Sequence, residues 1–148
     1  MAQKLPIEIR TESQGHTELD VSVRNHKLKV DEPEDFGGTN KGANPIEYLF
    51  AGLAGCLNVT VHQVAKEKGV KIEKLKIDVK GILDLEGFMN KDSDKRSGFQ
   101  EIKVEVDMKT DSDEETENKM LEEAEKRCPV SDTIHNETSI KLERKFIK

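Results

Sequence analysis

Two thiols and one carboxylate are the side chains in this sequence whose settings could do chemistry. Cys56 closes the run Ala51-Gly52-Leu53-Ala54-Gly55-Cys56. Glycine costs about 1 kcal/mol in a helix interior relative to alanine. Two glycines just ahead of a cysteine therefore need a reason. They let another helix approach closely, or they leave space beside the sulfur. A thiolate at Cys56 would be a nucleophile; an unreactive Cys56 would be a small hydrophobe in a tight core. Cys128 precedes Pro129 in Cys-Pro-Val-Ser-Asp-Thr-Ile, which has the form of a fresh helix start with proline at its first position. The free amides of such a start favour a thiolate. The other reading is a cap-region cysteine covered by Phe146 or another neighbour. The two cysteines are 72 positions apart and form no Cys-x-x-Cys pair. Nothing in the sequence by itself brings them together.

Glu47 belongs to Asn44-Pro45-Ile46-Glu47, where asparagine caps a helix, proline opens it and the glutamate closes a capping box. It could equally position a donor beside a reacting thiol. At about 100° per residue, Glu47 and Cys56 point to opposite sides of one straight helix. If both serve one site, the simplest arrangement takes Glu47 from a second subunit. His16, His26, His62 and His135 are scattered. A metal site would need Cys56, Cys128 and His135 to converge, and no metal-ligand spacing is present. No serine nucleophile elbow, phosphate-binding loop or zincin motif occurs. No metal and no cofactor are expected.

The elements that must position these groups follow from periodicity. Leu5, Ile7 and Ile9, then Leu19, Val21 and Val23, then Leu28 and Val30 alternate as three short strands, with turns at 13–15 and 24–26. Residues 31–43, with Gly37, Gly38 and Gly42, form a glycine-rich loop. A helix runs from Asn44 to about Lys68, stopped by Gly69. Its first half is apolar on nearly every side, which predicts burial all round. Val70, Ile72, Leu75, Ile77, Val79 and Leu83 form a strand with a phase slip near Glu73–Lys74. Residues 86–98 are polar and read as a mobile loop. Ile102, Val104, Val106 and Met108 form the next strand, pairing with the last as a hairpin. Residues 111–127 form a helix with a stripe of Met120, Leu121 and Ala124. Ile140, Leu142 and Phe146 form a final strand.

The 148 residues fit one domain over 1–148. Only 34% are apolar and 36% are charged, so the apolar residues must be grouped for the chain to fold. One small subunit can hardly wrap the apolar helix, which predicts a dimer built around it. The net charge of −6 and the lack of a basic stripe argue against nucleic acid. No signal peptide opens the sequence, and the apolar stretch 46–64 is too short and interrupted to span a bilayer. A cytoplasmic location is expected, where two cysteines are more often buried or catalytic than a standing disulfide.

The segment GGTNKGANPIEYLFAGLAGCLNVTV at 37–61, with CPVSDTI at 128–134, resembles the OsmC/Ohr family of osmotically inducible and organic-hydroperoxide-resistance proteins. The order of elements matches across almost the whole chain. The resemblance implies an α+β fold, an intertwined homodimer whose central helices pack together under antiparallel sheets, and two active sites at the subunit interface. It also implies a thiol peroxidase of the oxidative stress response, taking an organic hydroperoxide as substrate and an external dithiol as reductant. Cys56 then matches the peroxidatic cysteine, Cys128 the resolving one and Glu47 the active-site carboxylate. The family pairs that carboxylate with an arginine from the N-terminal strands or the loop after them. Residues 25–95 contain no arginine, which leaves Arg24 and Arg10; Arg24 reads equally as a solvated turn residue. The apolar flank of Tyr48, Phe50, Leu53 and Leu57 points to organic peroxides over hydrogen peroxide. The alternative is a dimer that keeps the fold and binds a small apolar ligand or senses redox state.

Overall fold

Alternation places strands only where a paired edge exists, and the N-terminal segment illustrates this. A computed structural model of the chain describes residues 3–145. They divide into two compact units, Met1–Phe50 and Ala51–Lys148. In the first, β1 (Arg10–Ser13), β2 (Leu19–Val23) and β3 (His26–Val30) form an antiparallel meander. The expected first strand over Leu5, Ile7 and Ile9 is displaced: those residues are exposed, and pairing begins at Arg10. The reason is register. The hairpin pairs Ser13 with Leu19 and ends at Arg10 and Ser22; Val23, the last residue of β2, pairs only with His26 of β3, and the chain then turns at Arg24. Arg24, in the β2–β3 turn, takes a left-handed φ of 52°.

The 31–43 loop is organised by a carboxylate. Asp31 is fully buried. It accepts from Thr17 Oγ1 at 2.7 Å and from the Glu32 amide at 2.8 Å. It also accepts from the Thr39 amide (3.1 Å), Thr39 Oγ1 (2.6 Å) and the Lys41 amide (3.1 Å). A Cβ at position 38 would lie 1.8 Å from the Glu32 carbonyl oxygen, so only glycine lets the loop close this tightly.

Helix α1 (Pro45–Lys68) forms as its caps predict. Asn44 Oδ1 accepts from the Glu47 amide and Glu47 Oε2 from the Asn44 amide, each at 2.8 Å. At the far end Gly69 sits at φ 69°, and Val70 N–H reaches back to the Ala65 carbonyl at 2.9 Å, a left-handed cap. Within the chain, however, the helix is not buried all round. Leu53, Leu57, Thr60, Val61, Val64 and Ala65 are covered. On the other side Val59 is 62% exposed, and Gly52 and Gly55 face open space. The helix has the expected length, yet by length and composition alone it could cross a membrane, which the interrupted stretch 46–64 argued against. Here its apolar side chains have a partner surface in the chain's own C-terminal unit.

That unit contains β4 (Ile72–Ile82) and β5 (Glu101–Thr110), an antiparallel hairpin with the predicted slip between Ile72 and Lys74. Residues 86–98, read as a mobile loop, carry structure instead. Asp84 caps the short helix α2 (Leu85–Met89), Lys95 bridges to Asp84 at 2.8 Å and Glu86 at 2.6 Å, and Ser97 Oγ donates to the Gly87 carbonyl. Helix α3 (Glu114–Arg127) starts at the Asp113 cap and α4 (Pro129–His135) follows Cys128 directly. The expected last strand does not form among the described residues. Ile140 and Leu142 stand exposed, and Phe146 lies outside those residues. The alternation of Ile140 and Leu142 meets no paired backbone among the described residues.

Val61, Val64 and Ala65 of α1 close on Met120 and Ala124 of α3. Met120 is fully buried. Met120→Ala removes its side chain and leaves a cavity between the helices, at a cost of about 2–5 kcal/mol. Urea unfolding checks this: the midpoint falls with the slope unchanged.

Candidate active site

Cys56 lies at the edge of the covered face of α1 and is half-buried, whereas Cys128 is fully buried. Cys128 ends α3 and caps α4, in an extended backbone conformation that turns the chain between the two helices. Its thiol points at Cys56, with the two Sγ atoms 2.8 Å apart and both cysteines free. The chain thus brings together two residues that the sequence left apart. Leu53, Leu57, Ile77, Val79, Ile102, Val104 and Val130 surround them.

Of the two readings of Cys128, a thiolate at a helix start and a covered cap-region cysteine, the fully buried thiol fits the second. The fresh helix start is there, and the Ser131 amide donates to Cys128 Sγ at 3.3 Å. Yet burial pushes the Cys128 thiol up, and its hydrogen bond to Cys56 pushes the same way. The Ser131 and Val130 amides, which act the other way, do not offset the loss of solvation. Cys128 therefore holds its proton and directs it at Cys56, and Cys56 is the thiol that solvent and small solutes can reach.

The other two candidates belong to the N-terminal unit. Glu47 performs its cap, with its carboxylate on the Asn44 amide. Arg24 is exposed in its turn. Arg10, the alternative, is exposed and pairs with Glu8 at 3.2 Å. Of the four predicted site residues, the two cysteines share one compact unit. No three His, Cys, Asp or Glu side chains among the described residues are grouped to hold a metal ion.

Beside the thiols a cleft of about 500 Å³ is lined by Leu53, Leu57, Phe99, Ile102, Val104 and Ile134. Leu53 and Leu57 are shared walls: they line this cleft and also pack on Cys128. Arg96, Gln100, Glu101, Glu125, Ser131 and His135 add polar lining, and His135 Nδ1 lies 3.0 Å from the Ser131 carbonyl. Arg96 is the residue sequence reasoning passes over. It sits in a polar loop with no motif around it, and only the packing of that loop against α2 carries it to the cleft. An arginine on a cleft with both apolar and polar walls can orient a polar group while an apolar tail packs on the leucine and valine side.

Comparison with known proteins bears on this arrangement. The family model described as OsmC-like protein matches residues 38–143. A hydroperoxide reductase of Mycoplasma genitalium is 28% identical over 103 residues, 70% of each chain. The organic hydroperoxide resistance protein OhrB of Bacillus subtilis is 27% identical over 132 residues, 88% of this chain and 89% of its own. The crystal structure of an OsmC-like protein from Mycoplasma pneumoniae superposes with a TM-score of 0.78 at 22% identity, covering 90% of this chain and 89% of the other.

Proposed function

The chain belongs to the OsmC-like protein family, and from that premise we propose that it is a two-cysteine peroxidase of organic hydroperoxides. The observation that carries this reading is the Cys56–Cys128 contact at 2.8 Å between free thiols of unequal exposure. The names of the two sequence relatives supply the substrate class.

The Cys56 thiolate attacks the terminal oxygen of R–O–O–H. The O–O bond breaks, the alkoxide leaves and takes a proton as R–OH, and Cys56 becomes a sulfenic acid. The Cys128 sulfur then attacks the Cys56 sulfur. The S–S bond forms, the S–O bond breaks, and the hydroxyl departs with the Cys128 proton as water. An external dithiol reduces the disulfide by two exchange steps. The proton on Cys128 suits this order, because a neutral thiol does not compete for the peroxide. The location that keeps both thiols reduced between turnovers is the cytoplasm.

The reading extends to a homodimer. Val59, Gly52 and Gly55 leave an apolar, small-residue face of α1 uncovered in one chain. A second copy of α1 on that face covers it. Glu47, out of phase with Cys56 on its own helix, then serves the partner's thiol, with Arg24 or Arg10 as the candidate arginine for the same site. Residues 1–148 act as one domain in this reading, since α1 runs across the boundary of the two units.

Stopped-flow consumption of peroxide by the reduced protein tests the proposal. Cumene hydroperoxide is consumed one equivalent per subunit, at least about tenfold faster than hydrogen peroxide, because its apolar tail is buried on binding. Equal rates for the two peroxides would remove the organic preference, and no consumption of either would remove the peroxidase.

A further inference from the structure

Resting on the two-cysteine reading, we infer that the Glu67–Arg127 ion pair is a positioning clamp that holds Cys128 at Cys56 for disulfide closure. Arg127 directly precedes Cys128 and is the last residue of α3. Its guanidinium meets Glu67 of α1 with both nitrogens, Nη1 to Oε2 at 2.6 Å and Nη2 to Oε1 at 2.9 Å. This two-bonded geometry fixes orientation as well as distance. The surrounding charges reinforce it. Glu123, one turn back on α3, accepts from Arg127 Nη1 at 3.1 Å and bridges to Lys68 at 3.0 Å. Gln63 donates to Glu67 at 3.3 Å. The Arg127 contact is the main cause that holds the Glu67 carboxyl below its ordinary range.

The geometry acts as a two-point anchor. Cys56 and Glu67 are about three helical turns apart on α1, about 16 Å along its axis and within about 20° of the same face. The adjacent residues Arg127 and Cys128 reach those two points, one through the guanidinium and one through the sulfur. With the ionic end fastened, the α3–α4 junction cannot slide along α1 or rotate about it, and the sulfur end keeps its register. The clamp involves neither thiol, so it persists before and after the disulfide forms. Its effect is on effective concentration: a tethered, oriented thiol closes faster and to a greater extent than a loosely held one. The packed Val64–Met120–Ala124 contact beneath it sets the distance between the helices, and the ion pair sets their alignment.

The test uses the full chain as wild type, Glu67→Gln, Arg127→Gln and the exchanged double variant Glu67→Arg/Arg127→Glu. The thiol–disulfide equilibrium of Cys56–Cys128 is read in glutathione buffers, with the closure rate read after one equivalent of peroxide. Each single variant is expected to lower the equilibrium constant and the closure rate about five- to tenfold, with first-step peroxide consumption unchanged. The exchanged variant restores both to within about twofold. In the wild type alone, both quantities fall on going from low to high salt, as an exposed ion pair requires. Single variants equal to wild type, or a loss that the exchange does not restore, would overturn the clamp. Glu67→Gln changes no volume and leaves the core intact, which far-UV circular dichroism checks. The glutathione equilibrium needs no peroxide chemistry, so a chain that consumes no peroxide sinks the peroxidase reading while the clamp is still judged.

Discussion

Cys56→Ser abolishes rapid consumption of cumene hydroperoxide, with a loss of at least about 10³-fold, whereas Cys128→Ser leaves the first turnover nearly intact. The asymmetry follows from the site. Cys56 is the sulfur that is partly open, and Cys128 is buried behind it with its proton retained. A serine hydroxyl at 56 is not deprotonated near neutral pH and offers no comparable nucleophile. Without Cys128 the sulfenic acid still forms, but nothing within the chain condenses with it. One equivalent of peroxide is then consumed, and the sulfenic acid is trapped by a dimedone probe. Under repeated peroxide that variant passes to the sulfinic acid and dies. Non-reducing electrophoresis separates the cases: wild type forms an intramolecular disulfide and neither variant does. Equal first-turnover rates for wild type and Cys56→Ser would assign the chemistry to another group.

Asp31→Ala lowers the melting temperature at neutral pH by roughly 5–10 °C, the second large effect. The carboxylate accepts five hydrogen bonds from Thr17, Glu32, Thr39 and Lys41 in a fully buried position. Those bonds, from the Thr39 side chain most of all and then Thr17, hold its carboxyl far below the usual carboxylate range against the opposing effect of burial. Removing it strands three backbone amides and two hydroxyls in the loop that leads into α1. The sign of the pH dependence is determined by the same shift. A carboxyl with a depressed folded pKa stabilises the fold fully above its unfolded value of about 4 and loses that contribution as pH falls. The gap in melting temperature between wild type and Asp31→Asn should therefore be largest near neutrality and shrink below about pH 4. Asparagine keeps the shape but points an amide donor at donors, so a variant as stable as wild type would show that the five contacts contribute nothing.

Local signals were read correctly where the chain's own chemistry decides the outcome. Asn44, Pro45, Glu47 and Gly69 bound α1 because caps satisfy backbone groups within a few residues of themselves. The slip at Ile72–Lys74 shows as a break in alternation because side-chain facing has a strict period of two. The helix start at Cys128-Pro129 is likewise local. The resemblance carried by residues 37–61 and 128–134 identified the family on the same kind of short-range pattern.

Where a residue needs a distant partner, local pattern does not decide its place. Leu5, Ile7, Ile9, Ile140 and Leu142 alternate as well as any strand here, yet they have no paired backbone among the described residues. The loop at 86–98 is polar, but Lys95 finds Asp84 and Glu86, and Arg96 comes to the cleft with it. The helix start at Cys128 left a thiolate and a covered thiol both open, and burial, which no local pattern encodes, selects the second. By itself, then, the sequence determined the ends of its helices, the period of its strands and the two thiols worth watching. Only the tertiary structure decided that Cys128 meets Cys56, that burial there pushes its thiol up, and that Arg127 of α3 meets Glu67 of α1. Those are contacts between residues 60 and 72 positions apart, set by the packing of α3 on α1 rather than by anything adjacent in the chain.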